Sequence, residues 1–428
     1  MKTHAFFESL LPGLFLATAV FAQRPGVIED EAKVPPYTLP DPLVCQDGSP
    51  VKDASMWREK RRPELLRLFE TQVYGKTLLG RPAEMRFVVR EADKDTRGGK
   101  ATRSRVAVLF NGREDGPQME LLIYLPKVVP GPVPVFLGLN FDGNYATTTE
   151  PDLPLPRHWV SNNKNLGITN HLAVEAGRGA ESSRWQYDCA LEHGYGVATA
   201  CYGEVDPDYY DGFTNGVHVL APPQSPGDWG AIGAWAWGLS RAMDYLQTNP
   251  RVDAKRVAVM GHSRLGKTAL WAGAQDERFP VVISNDSGAG GAALSRRIFG
   301  ERIEHLNQAF PHWFCKNYAR YNGKEELCPV DQHELLALIA PRAVLIHSAT
   351  EDLWADPKGE FLSGVAAAPV YRLLGTDGIA QHEWPEPRKL LTSRIGYYLR
   401  PGKHDVTLED WKAYVAFADR HLKKQASH

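Results

Sequence analysis

The chain has 428 residues, 43% hydrophobic and 23% charged, enough to bury a sizeable core. A formal net charge of -2 excludes a protein that holds nucleic acid through bulk electrostatics. Five scattered cysteines exclude both a disulfide framework and a zinc-ligand pattern.

In chain order, Lys2 and His4 precede an apolar stretch from Leu10 to Ala22 that ends in Val20-Phe21-Ala22. That pattern predicts a signal peptide over residues 1–22 and a mature chain, residues 23–428, exported to the periplasm or beyond. No later segment approaches the roughly 20 apolar residues of a membrane span. An extended, Pro-rich leader (Val34 to Pro42) leads into a predicted helix, Met56 to Val73, with Leu65, Leu66, Leu68 and Phe69 at helical spacing. Met85–Val89, Ser104–Phe110 and Met119–Leu125 read as hairpin-linked antiparallel strands.

The pattern then changes. Val133–Leu139, Tyr195–Cys201, Arg256–Met260, Val281–Ser284 and Ala343–His347 are short apolar runs, as in strands buried on both faces. Helical stretches such as Ala231–Thr248 and Lys267–Ala274 separate some of them. This alternation predicts one α/β domain: a doubly wound, mostly parallel sheet with an antiparallel N-terminal edge. Two long insertions, Asn144 to Glu192 and Gly288 to Pro329, follow predicted strand ends, where open α/β sheets bind ligands. Cys315 and Cys328 bracket a short loop and make a candidate disulfide pair. Eleven Trp and sixteen Tyr suit the apolar faces of sugars.

The sharpest local signal is Gly261-His262-Ser263-Arg264-Leu265-Gly266-Lys267, directly after the apolar Val257-Ala258-Val259-Met260. A strand, a sharp turn carrying serine and an immediate helix form a nucleophile elbow, the mark of an α/β-hydrolase fold. The second glycine comes one place later than in the usual G-x-S-x-G. Chain order in that fold is serine, acid, histidine. His404, in the turn-rich Arg400-Pro401-Gly402-Lys403-His404-Asp405 before the last predicted helix, is the candidate base for Ser263. Two acids compete: Asp286 after the run 281–284 and Asp352 after the run 343–347, with general order favouring Asp352. Arg264 and Lys267 are unusual in a first helical turn, where cations oppose the dipole, and point to an oxyanion contact and to substrate hydroxyls respectively.

These residues closely resemble the G-C/H-S-R-x-G-K signature of the glucuronoyl esterases. Arg62-Pro63-Glu64-Leu65-Leu66 with Tyr74-Gly75, Asn140-Phe141-Asp142-Gly143-Asn144, Asn285-Asp286-Ser287-Gly288-Ala289-Gly290-Gly291, Pro311-His312-Trp313-Phe314-Cys315 and Ala340-Pro341-Arg342 also resemble the bacterial members. The resemblance spans nearly the whole mature chain. It implies hydrolysis of the ester between (4-O-methyl-)glucuronic acid of glucuronoxylan and a lignin alcohol, by a monomer without cofactor or metal. It implies Ser263 as nucleophile, His404 as base, Arg264 at the oxyanion, and Lys267, Glu301 and Trp354 facing the sugar. Fungal members place a Glu where this chain has Asp286, and several bacterial members use an acid at the Asp352 position, so the resemblance leaves the acid open. An acetylxylan or other carbohydrate esterase, a secreted peptidase of this fold and a catalytically silent glycan-binding protein on the same scaffold are the alternatives.

Overall fold

The computed structural model describes residues 26–423 except 128 and 223; the expected signal peptide over residues 1–22 lies outside the described residues. Nine strands form one sheet: β1 (Arg86–Thr96), β2 (Ala101–Leu109), β3 (Gln118–Pro126), β4 (Val133–Asn140), β5 (Gly196–Cys201), β6 (Val252–His262), β7 (Val281–Asn285), β8 (Ala343–Ala349) and β9 (Ile395–Arg400). Their spatial order is β1-β2-β3-β5-β4-β6-β7-β8-β9. The edge β1-β2-β3-β5 is antiparallel, and every pair from β5 through β9 is parallel.

Burial explains why the central strands read as unbroken apolar runs. In β6, Val257 and Val259 enter one core while Ala258 and Met260 enter the other. In β8, Val344 and Ile346 divide from Ala343 and Leu345 in the same way. Each buried Val, Leu, Ile or Met among them contributes about 1.5–3 kcal/mol. Helices Ala231–Leu246, Arg264–Gln275, Gln332–Ile339 and Pro357–Leu373 cover one face, and Tyr187–Glu192 and Leu408–Leu422 cover the other. No helix among the described residues is long and apolar enough to cross a membrane.

The predicted helix over 56–73 is helical over 54–72, but residues 57–61 form a wide π turn ahead of Pro63. Pro63 has no amide hydrogen to continue the ordinary ladder, and Arg62 N–H reaches back to Trp57 O instead. The candidate pair Cys315–Cys328 is not a disulfide: both thiols are free and buried, and Cys315 Sγ faces Thr71 O at 3.8 Å.

Strand order reverses beside β4. The chain steps from β4 outward to β5, then returns to β6 on the other side and proceeds to β9. Open α/β sheets bind ligands at such a switch point, outside the carboxyl ends of the strands. The insertions after β4 and β7 rise from that same end. The last helix runs the other way: Leu422 and Lys423 share a surface groove with Pro132, Val252 and Pro280, where β4, β6 and β7 begin. At the other terminus, a strap crosses to the second insertion. Gly300 N–H donates to Ile28 O at 2.8 Å, and Glu31 pairs with Arg297 (2.7 Å) and Lys358 (2.9 Å).

Candidate active site

Ser263 follows the last residue of β6 with φ 57° and ψ −127°, a left-handed backbone that costs a non-glycine residue free energy. Its neighbours make the turn possible. A Cβ on Gly261 would lie 1.9 Å from Leu265 O, so no side chain fits there. A Cβ on Gly266 would meet Ser287 Cβ at 3.0 Å and Asn285 O at 3.1 Å. The late second glycine therefore answers to the end of β7, against which this helix packs. Ser263 N–H donates to Asn285 O at 2.9 Å and ties the elbow to the same strand.

His404 lies in the loop after β9, and its Nδ1–H donates to Asp352 Oδ2 at 2.6 Å. That bond fixes the tautomer with Nε2 unprotonated in the neutral ring. Asp286 is brought to the same place in a different state. It is 2% exposed, and neither carboxyl oxygen has a hydrogen-bond partner among the described residues. Burial first, then Asp352 and Glu360 nearby, push its carboxyl well above the usual range and favour its neutral form. Arg400 Nη2, at 3.9 Å, does not reverse this.

Asp286, Asp352 and His404 place ligand atoms within 4.8 Å of one another. An acid whose neutral form burial favours and an imidazole N–H already engaged by Asp352 make that trio poorly suited to a cation.

Arg264 opens the helix as a cation at the wrong end of a dipole, and Asp208 compensates it. The guanidinium hydrogen-bonds Asp208 and lies over the rings of Trp313 (4.7 Å) and Phe310 (5.3 Å). Asp208 also accepts from His312 Nε2 at 2.8 Å and Trp313 Nε1 at 2.7 Å. Burial raises the Asp208 carboxyl, but His312, Arg264 and Trp313 outweigh it and bring the pKa to about 2. Asp208 stays ionised and holds Arg264 in one orientation.

Lys267 is 4% exposed, and its ammonium donates to Ser287 O (2.7 Å), Ala289 O (2.6 Å) and Glu301 Oε2 (3.3 Å). A ligand hydroxyl can displace only the longest of these bonds without stranding a backbone carbonyl. Glu301 in turn accepts from Trp354 Nε1 at 3.1 Å. Ser263, Arg264, Lys267, Glu301, Trp354 and His404 all line one cavity of about 300 Å³, together with Asp286 and Asp352. The structure thus gathers every site residue singled out from sequence. Asp208, Phe310 and Trp313 were not assigned from sequence. Asp206-Pro207-Asp208 reads as a turn, and only the segment 311–315 carried a signal, as part of the resemblance.

The sheet, the elbow after β6 and the histidine loop after β9 define an α/β-hydrolase, and its relatives are carboxylic ester hydrolases. A family model described as "Glucuronyl esterase, fungi" matches residues 224–375. The chain is 52% identical over 408 residues to the "Carbohydrate esterase MZ0003" of an unknown prokaryotic organism, covering 94% of each chain. It is 47% identical to the solved "Glucuronoyl Esterase from Solibacter usitatus", with a TM-score of 0.86, covering 92% of this chain and 100% of that one. A "4-O-methyl-glucuronoyl methylesterase" of Schizophyllum commune is 28% identical over 85% of this chain and 82% of its own. The chain belongs to the glucuronoyl esterase family.

Proposed function

We propose that this protein hydrolyses esters of glucuronic acid, including the 4-O-methyl sugar of glucuronoxylan, joined through the sugar carboxyl to a lignin-type alcohol. The observation that carries the reading is the single cavity in which Ser263 and His404 face a wall of Lys267, Glu301 and Trp354. A simple acyl esterase needs the first pair and has no use for a buried lysine and glutamate, which suit the hydroxyls of a sugar ring.

The chemistry follows from the groups present. His404 Nε2 takes the Ser263 Oγ proton as Oγ attacks the ester carbonyl, and Arg264, with its backbone N–H, meets the developing oxyanion. The bond to the alcohol breaks, and the alcohol leaves with the proton from His404. Water then attacks the acyl-enzyme by the same route and regenerates Ser263. Asp352 holds the imidazole and stabilises its protonated form. The enzyme acts after export, which the signal-peptide pattern of residues 1–22 supports.

Hydrolysis of benzyl glucuronate beside an acetylated xylan, by the wild type and Ser263→Ala, tests this. Cleavage of the uronate ester that disappears in the variant is the expected result. Release of acetate alone would leave an esterase with a different substrate, and full activity in Ser263→Ala would overturn the mechanism.

A further inference from the structure

The face of the His404 ring that turns away from solvent rests on another imidazole. His262, the residue before the nucleophile, has its ring centroid 4.4 Å from that of His404, tilted by 40°. His262 Nδ1 lies 2.5 Å from Asn285 Oδ1. The amide nitrogen of Asn285 faces Asp410 Oδ1 at 3.3 Å, so its oxygen points at His262 and can only accept. His262 therefore carries its proton on Nδ1 and presents Nε2 as an acceptor.

That acceptor needs a donor, and the ring borders a small cavity. The cavity measures about 20 Å³, room for one water, and is walled by Glu181, Arg184, His262 and apolar neighbours including Trp185 and Val406. Glu181 is 4% exposed; its Oε2 accepts from Asp142 N–H at 3.3 Å, while its Oε1 has no partner among the described residues. The same turn reaches the histidine loop directly. Arg184 Nε donates to Asp405 Oδ1 at 2.7 Å, and Arg184 O accepts from Trp411 Nε1 at 2.7 Å.

We propose that the turn 181–185 positions the general base, with Glu181 fixing His262 through one buried water and His262 backing the His404 ring. Burial first, then Asp142, bring the Glu181 pKa to about 8, so it is a neutral acid at pH 7 and can donate to the water. Burial, His404 and Arg184 hold His262 well below the usual histidine range. The backing ring therefore stays neutral when His404 takes a proton, and two imidazolium rings never face each other.

The inference rests on His404 being the base, and its test separates the two readings. Glu181→Leu should lower kcat on benzyl glucuronate about tenfold with KM within about twofold, since a displaced base weakens only the chemical step. Glu181→Gln keeps the shape and hydrogen bonds of the neutral acid and should restore kcat to within about twofold of wild type. A crystal structure of the wild type should show water density within hydrogen-bond reach of both Glu181 Oε1 and His262 Nε2, a readout that stands even where Glu181→Leu fails to fold. Unchanged kcat in a folded Glu181→Leu, a Gln variant as impaired as Leu, or a cavity without that density would overturn the proposal. Full activity in His404→Ala would instead remove the reading beneath it.

Discussion

His404 donates to Asp352, whereas neither oxygen of Asp286 finds a hydrogen-bond partner among the described residues. One acid is placed to hold the imidazole; the other is a buried group beside it whose neutral form burial favours. Asp352→Asn offers an amide that can donate to Nδ1 and so favours the wrong tautomer; kcat on benzyl glucuronate should fall by a factor on the order of 10³ to 10⁴. Asp286→Asn is nearly isosteric with the neutral form that burial favours there, and should cost less than about tenfold. Steady-state kinetics of the two variants check this, and the reverse ranking would mean that Asp286 carries the charge. Ser263 and His404 were legible in the sequence because an elbow and a last-loop histidine have local signatures. Chain order leaned to Asp352 without settling the choice between the two acids, because which carboxylate reaches His404 Nδ1 is a property of the assembled fold. Asp208 escaped notice for a related reason: loop aspartates are common, and only packing against Trp313 and Arg264 distinguishes this one.

At the scale of elements, the elbow depends on how closely its helix approaches two neighbours. A methyl group on Gly261 would collide with backbone at 1.9 Å, which nothing nearby can relieve. On Gly266 it would press on Ser287 Cβ at 3.0 Å, where a small shift of β7's end gives room. Gly261→Ala should therefore lose more than about 3 kcal/mol, and Gly266→Ala about 1–3 kcal/mol, by chemical denaturation. Equal losses would show that the two contacts are not what sets the glycine spacing. The central strands were legible because strands buried on both faces read as apolar runs. Helix Pro357–Leu373 was hidden by Pro357, Gly359, Gly364 and Pro369, all breaker signals from sequence. The fold gives the first three of them purposes. Asp356 caps the helix by accepting from Gly359 N–H, Pro357 sits at its first position, and a Cβ on Gly364 would lie 2.9 Å from Ile346 and Ile379.

Across the whole molecule, the cavity wall of Lys267, Glu301 and Trp354 is held from a distant part of the chain. The strap at residues 28–31 ties down Gly300 and Arg297, and Glu301 N–H donates to Trp354 O at 2.8 Å, so strap, insertion and Trp354 form one connected rim. Exposed or half-exposed ion pairs are worth about 0.2–1 kcal/mol, a factor of up to about five in binding. Glu31→Ala should accordingly raise KM for glucuronate esters about two- to fivefold and leave kcat nearly unchanged. Hydrolysis of a small aryl acetate, which has no use for that wall, should not respond; a matching rise in its KM would place the strap's influence on the catalytic groups instead.

The two termini also differ in what can be hung from them. The chain leaves the last helix at Lys423, on the pole where β4, β6 and β7 begin, while the cleft opens at the other pole. An anchor or a fused carbohydrate-binding module at the carboxyl end would present the cleft outward to an insoluble polymer. The same attachment ahead of residue 26 would pull on the rim itself, so immobilised preparations of this esterase should keep their affinity only when tethered by the tail.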